Sequence, residues 1–145
     1  MWILATTGFY SIVQKPWDRA KGTLTIRARV RRDLINLKER YLPSLADIIE
    51  TEDSDYRYRA TAPQDEVVQA MAKITADIDY DNFKDAVAAR QGYERAAIYH
   101  DVWSDLYRLQ RIKASGEATN PPFPPVLIPV DPVHGKHSSH TKRGQ

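Results

Sequence analysis

The chain has 145 residues, 42% of them apolar and 28% charged, with a mean hydropathy of −0.55 and a formal net charge of +2, the profile of one soluble domain with enough apolar material for a core. It has no cysteine, which excludes disulfides, zinc–thiolate sites, iron–sulfur clusters and thiol catalysis and makes a reducing cytoplasm the expected setting. No apolar run approaches the roughly 18–20 residues of a membrane helix, and no basic residue precedes the short apolar stretch at the N-terminus, unlike a secretory leader.

Residues 2–14 are rich in aromatic and β-branched side chains and read as extended, interrupted at Gly8. The expectation is one long bent strand, or two short ones meeting at Gly8. Pro16 ends the segment, and residues 16–22 read as a hairpin-length connection. Residues 23–30 alternate strictly. Leu24, Ile26, Ala28 and Val30 share one face, and Thr23, Thr25, Arg27 and Arg29 share the other. This second strand is expected to pair antiparallel with the first.

Val30, Leu34, Leu37 and Tyr41 then mark one face of a helix that Pro43 stops. Ser44 to Asp47 reads as the cap of a short helical turn running to Ile49, followed by an acidic loop from Glu50 to Asp55. A third strand is expected at 56–61, with Tyr56, Tyr58 and Ala60 on one face and Arg57, Arg59 and Thr61 on the other. Pro63 suits the first position of the next helix, whose apolar face is Val67, Met71, Ile74 and Ile78. Asp79 or Asp81 is expected to cap a second helix carrying Phe83 and Val87, with Gly92 as its C-terminal stop. A last helix from Tyr93 to Ile112 presents Ile98, Val102, Leu106 and Leu109, flanked by Tyr99 and Trp103, and is expected to cover the sheet.

The order β-β-α-β-α-α-α predicts an α+β domain over residues 1–112, with an antiparallel sheet of about three strands and helices on one face. A ferredoxin-like arrangement is a loose fit. Residues 113–145 hold six of the nine prolines between Pro121 and Pro132 and read as a disordered, Pro-rich tail. The strings TTGFYSIVQKP (6–16), LTIRARVRRDL (24–34), YRYRA (56–60), DIDYDNFKDAVAARQG (77–92) and YHDVWSDLYRLQ (99–110) resemble an uncharacterised family of small bacterial proteins. The likeness spans about residues 2–110 and implies no catalytic or binding residues.

Charge is segregated along the chain. Residues 1–44 carry net +6, residues 45–105 net −8, and residues 106–145 net +4. The functional candidate this suggests is an anion-binding strand face made of Arg27, Arg29, Arg57 and Arg59, extended by Lys15, Arg31 and Arg32. Tyr10 would offer a stacking surface. Guanidinium forks bind phosphate and carboxylate bidentately, and single-stranded nucleic acid stacks on aromatic rings.

Asp77, Asp79, Asp81 and Asp85 imitate the start of a calcium loop. They then fail it, because Asn82 stands where the loop needs glycine and Ala88 where it needs glutamate. Capping the second helix is the simpler role for them. His134, His137 and His140 recur in the tail as weak metal ligands. His100 neighbours Asp101, but adjacent helical residues point about 100° apart. No P-loop, dinucleotide fingerprint or serine-hydrolase elbow occurs. The leading expectation is a non-enzymatic module for an anionic partner such as nucleic acid, with no cofactor and no membrane association. The alternatives are a protein-interaction or homo-oligomeric assembly module and a metal-dependent phosphoesterase.

Overall fold

The structure, a computed structural model, describes residues 1–111; the Pro-rich tail and its histidines lie outside them. The domain is α+β, with a five-stranded antiparallel sheet rather than the expected three. Gly8 separates two strands, β1 (Trp2–Ala5) and β2 (Gly8–Val13), joined by a tight turn at Thr6-Thr7. The connection after Pro16 is a short helix, α1 (Pro16–Lys21). Pro16 sits in its first turn, where the missing N–H costs nothing. Asp18 caps it, and Gly22, at φ +62°, provides the left-handed stop.

Strand β3 (Thr23–Ala28) follows, then helix α2 (Arg31–Arg40). The helical turn expected from Ser44 is absent. The chain there is irregular and runs into a two-residue strand, β4 (Ile49–Glu50), which lines the edge of β5 (Tyr58–Pro63). Pro63 ends β5 and precedes helix α3 (Gln64–Ala76). Helices α4 (Phe83–Gln91) and α5 (Tyr93–Tyr107) meet at Gly92, and a 3-10 turn continues to Arg111. The sheet order is β1-β2-β3-β5-β4 with every neighbour antiparallel; β3 and β4, connected through α2, therefore run parallel on either side of β5, as in a split βαβ unit. No helix among the described residues is long and apolar enough to cross a membrane.

The register sorts the side chains. One face presents Tyr10, Ile12, Ile26, Ala28, Ala60 and Ala62, which pack with Leu34 and Leu37 of α2 and Val67 and Ala70 of α3. The opposite face carries Leu4, Phe9, Ser11, Arg27 and Arg59. Leu4 and Phe9 pack there against Phe83, Val87, Ala96 and Tyr99 of the α4–α5 hairpin. Helices therefore cover parts of both faces, not one. The face lost by simple periodicity is that of α5: Ile98, Leu106 and Leu109 are each more than half exposed, and the helix buries Ala96 and Tyr99 instead.

The rotation of α5 follows from a polar clamp. Asp33, buried in the first turn of α2, accepts hydrogen bonds through Oδ2 from the Phe9 backbone N–H (3.0 Å) and from Arg95 Nη1 (2.8 Å). Arg95 also donates to the Tyr99 hydroxyl at 3.3 Å. Asn36 of α2 donates to the Thr7 carbonyl, while Arg90 and Gln91 at the end of α4 donate to the Thr6 hydroxyl and carbonyl. Helices α2 and α4 are thus tied to one turn of the sheet, and α5 is tied to α2 through Asp33. Withdrawing the Arg95 guanidinium would leave the buried Asp33 carboxylate without its counter-charge, which is costly, so this pair favours the side of α5 that turns inward.

Gly8 is what lets this clamp close. A β-carbon there would stand 2.7 Å from Asp33 Cβ and 2.9 Å from the Tyr10 hydroxyl. Gly8→Ala is therefore expected to lower unfolding free energy by about 1–3 kcal/mol through overpacking, read from urea denaturation midpoints. Asp33→Ala orphans the Arg95 charge and the Phe9 N–H and is expected to cost about 3–5 kcal/mol. In a double-mutant cycle, adding Arg95→Met to Asp33→Ala should cost much less than Arg95→Met alone. Strict additivity would show that the pair does not carry the clamp.

Candidate functional site

The arginine face lies between the α4–α5 hairpin and α1. At the α1 end, the Asp18 carboxylate accepts from the Lys15 N–H and the Thr23 and Thr25 hydroxyls, all within 2.8 Å. Burial pushes this carboxyl up, but those three donors outweigh it and hold it below the ordinary range. The cap thereby fills the sheet face beside Thr25. Two residues along β3, Arg27 occupies the next position on the same face.

Arg27 is paired across the ladder with Ser11 on one side and Arg59 on the other. Its Nη2 donates to the buried Ser11 hydroxyl at 2.8 Å, and its guanidinium lies over the Tyr56 ring at 4.3 Å. Arg29, exposed just beyond the end of β3, approaches the same ring at 5.2 Å. Arg59 donates through Nη2 to Ser54 Oγ (2.6 Å) and the Tyr56 carbonyl (3.3 Å). Among the described residues, no carboxylate pairs with Arg27, Arg29 or Arg59.

The Nε atoms of both Arg27 and Arg59 are buried without an acceptor. Two cations placed opposite each other on neighbouring strands are destabilising. The Tyr56 face offsets part of that for Arg27, and serine hydroxyls with the Tyr56 carbonyl supply the local hydrogen bonding.

Arg57 does not join them. Its Nε donates to Glu50 Oε1 at 2.6 Å, and Glu52 lies 3.6 Å away. Hydrogen bonding to Glu50 raises the guanidinium further above its ordinary range. The acidic loop after β4 thus neutralises one of the four arginines. Lys15 stands at the N-cap of α1, beyond the Val13–Thr25 pair and away from Arg27. Arg32 reaches Glu39 on its own helix.

Tyr10 cannot serve as a stacking surface. It is fully buried on the opposite, core face, and its hydroxyl donates to Thr7 Oγ1 at 3.1 Å. Burial pushes its phenol far above the ordinary range. The rings beside the arginines are different ones. Trp2, 64% exposed, meets Phe9 edge-on at 5.7 Å, and Phe9 lies 6.3 Å from Tyr56. The pairing register is what places Trp2 and Phe9 on the same face as Arg27.

Trp2, Leu4, Phe9, Ile98, Tyr99 and Val102 line a groove of about 320 Å³ with Arg29 at its rim. The groove is apolar and opens beside the arginines. A smaller cavity of about 180 Å³, lined in part by Trp17, Asp47, Ile49 and Arg59, lies toward α1.

The aspartates do not assemble. Asp77 accepts from the Tyr41 hydroxyl at 3.0 Å and Asp79 pairs with Arg90 at 2.6 Å. The cap of α4 is Asn82, whose Oδ1 accepts from the N–H groups of Lys84 and Asp85, in place of the expected Asp79 or Asp81. Among the described residues, no three carboxylates or imidazoles come together as metal ligands. His100 contacts Lys84 Nζ at 3.2 Å and stacks on Trp103; Asp101 is not its partner in either contact.

The chain matches no protein-family model, no curated protein and no solved structure. The resemblance over residues 2–110 therefore rests on its sequence strings alone.

Proposed function

We propose that the domain is a non-enzymatic binding module that takes an anionic chain, single-stranded nucleic acid in the first instance, on the face formed by Arg27, Arg29 and Arg59. The observation that carries this reading is the cross-strand Arg27–Arg59 pair. Two half-buried arginines are paired across the ladder, each with a buried Nε–H that lacks an acceptor, and no carboxylate pairs with either among the described residues. A partner anion offsets the repulsion between the two positive charges, which is a differential gain on binding. Arg29 adds a third, exposed charge beside them.

A second reading, an assembly module, draws on a different feature. α5 and the 3-10 turn after it leave Ile98, Trp103, Leu106 and Leu109 each more than half exposed, and apolar surface of that kind marks interaction sites. The two readings differ in salt response, since apolar association lacks the counterion release of phosphate contacts.

The test is a titration of fluorescently labelled single-stranded oligonucleotide followed by anisotropy at several salt concentrations. Three phosphate contacts predict a slope of log K against log salt of about −2 for a single strand. Replacing both Arg27 and Arg59 by alanine is expected to lower that slope to about −0.7 while leaving the fold intact, because no carboxylate is orphaned. Arg57→Ala should leave the slope unchanged. Absence of binding at micromolar protein in low salt, or equal loss from Arg57→Ala, would overturn the reading.

A further inference from the structure

Resting on that reading, we infer that the apolar groove beside the arginines receives an unstacked base, so that the module selects single strands over duplexes. The groove and the cationic patch are continuous. Phe9 lines the groove and lies 6.3 Å from Tyr56, the ring that carries Arg27 at 4.3 Å and Arg29 at 5.2 Å. Arg29 belongs to both, since it also stands at the groove's rim.

One wall is Trp2, which is 64% exposed and held edge-on to Phe9 at an interplanar angle of 87°. At that exposure much of the indole surface is open to solvent. The opposite wall comes from Ile98, Tyr99 and Val102 of α5. The remaining contacts are apolar, with no carboxylate among the residues that line it.

Charge complementarity selects the occupant. A purely apolar ligand leaves Arg29 unused, and a bare polyphosphate leaves the groove empty. A nucleotide satisfies both, with its base against Trp2 and Phe9 and its flanking phosphates on Arg29 and Arg27. Bases stacked within a duplex cannot enter, because leaving the stack costs a few kcal/mol. Base–aromatic stacking is tolerant of sequence, since every base offers a π-face. Selection is therefore for strandedness rather than for sequence.

The experiment compares three probes of equal length on the full chain. They are a single-stranded DNA, its duplex, and a strand of abasic sugar-phosphates. The expected order is single strand tightest, with abasic and duplex weaker by roughly 5- to 100-fold, the worth of one stacked base. Trp2→Ala should bring the single strand down to the abasic level without altering the salt slope. Ile98→Asn, on the other wall and also exposed, should do the same, and thermal melting checks that both variants fold.

Equal affinity for all three probes, weakened by Arg27→Ala with Arg59→Ala, would overturn the base pocket while sparing the anion-binding reading. A single-strand preference that survives both wall variants would place the base elsewhere and likewise overturn it. Failure of every probe to bind would remove the reading on which the pocket rests.

Discussion

A single buried carboxylate organises this domain. Asp33 of α2 holds the backbone of β2 at Phe9 and the guanidinium of Arg95 on α5, groups separated by 24 and 62 residues along the chain. Both partners must be supplied for the charge to be tolerated in the interior. The glycine before Phe9 gives the carboxylate room to approach. With the clamp shut, α5 turns Tyr99 and Ala96 inward and leaves Ile98 and Leu106 in the open. The apolar groove beside Phe9 follows in part, because Ile98 and Val102, which the clamp does not bury, line it together with Tyr99.

The arginine face shows the opposite electrostatic solution. Arg95, itself half-buried, has the buried Asp33 carboxylate at 2.8 Å. Arg27 and Arg59, half-buried and facing each other, have only serine hydroxyls, a carbonyl and a tyrosine ring. The same chain places Glu50 and Glu52 on Arg57. Acidic side chains are thus within reach of this edge of the sheet, and they pair with the arginine that lies outside the face. A fold that pairs its structural arginines and leaves two adjacent ones unpaired carries a local positive potential, and such potentials attract anions. That difference in pairing is the basis of the functional reading.

Much of the fold was legible. Strict alternation at Leu24, Ile26 and Ala28 marked β3, and Leu34 and Leu37 marked the buried side of α2, because both periods are local properties. Helix α1 was hidden by its length, although Pro16 in its first turn, Asp18 as cap and Gly22 as stop all stood in the sequence. β4 was illegible, since two residues offer no period.

At the site, parity alone separates Tyr10, which shares a face with Ile12, from Phe9 and Ser11. What sequence could not supply was register: that Arg27 meets both Ser11 and Arg59, or that Glu50 reaches Arg57. The apolar face of α5 misled for the same reason. Its rotation is set by a partner 62 residues away, and amphipathic spacing carries no information about such a contact.

The most direct measurement follows the guanidinium Nε–H resonances of the arginines by ¹H–¹⁵N NMR while unlabelled single-stranded oligonucleotide is added. The Nε–H groups of Arg27 and Arg59, which have no acceptor in the free domain, are predicted to shift and sharpen together. That of Arg57, already donated to Glu50, stays in place. Shifts confined to Arg31, Arg32 or Arg57, with Arg27 and Arg59 unmoved, would contradict the account.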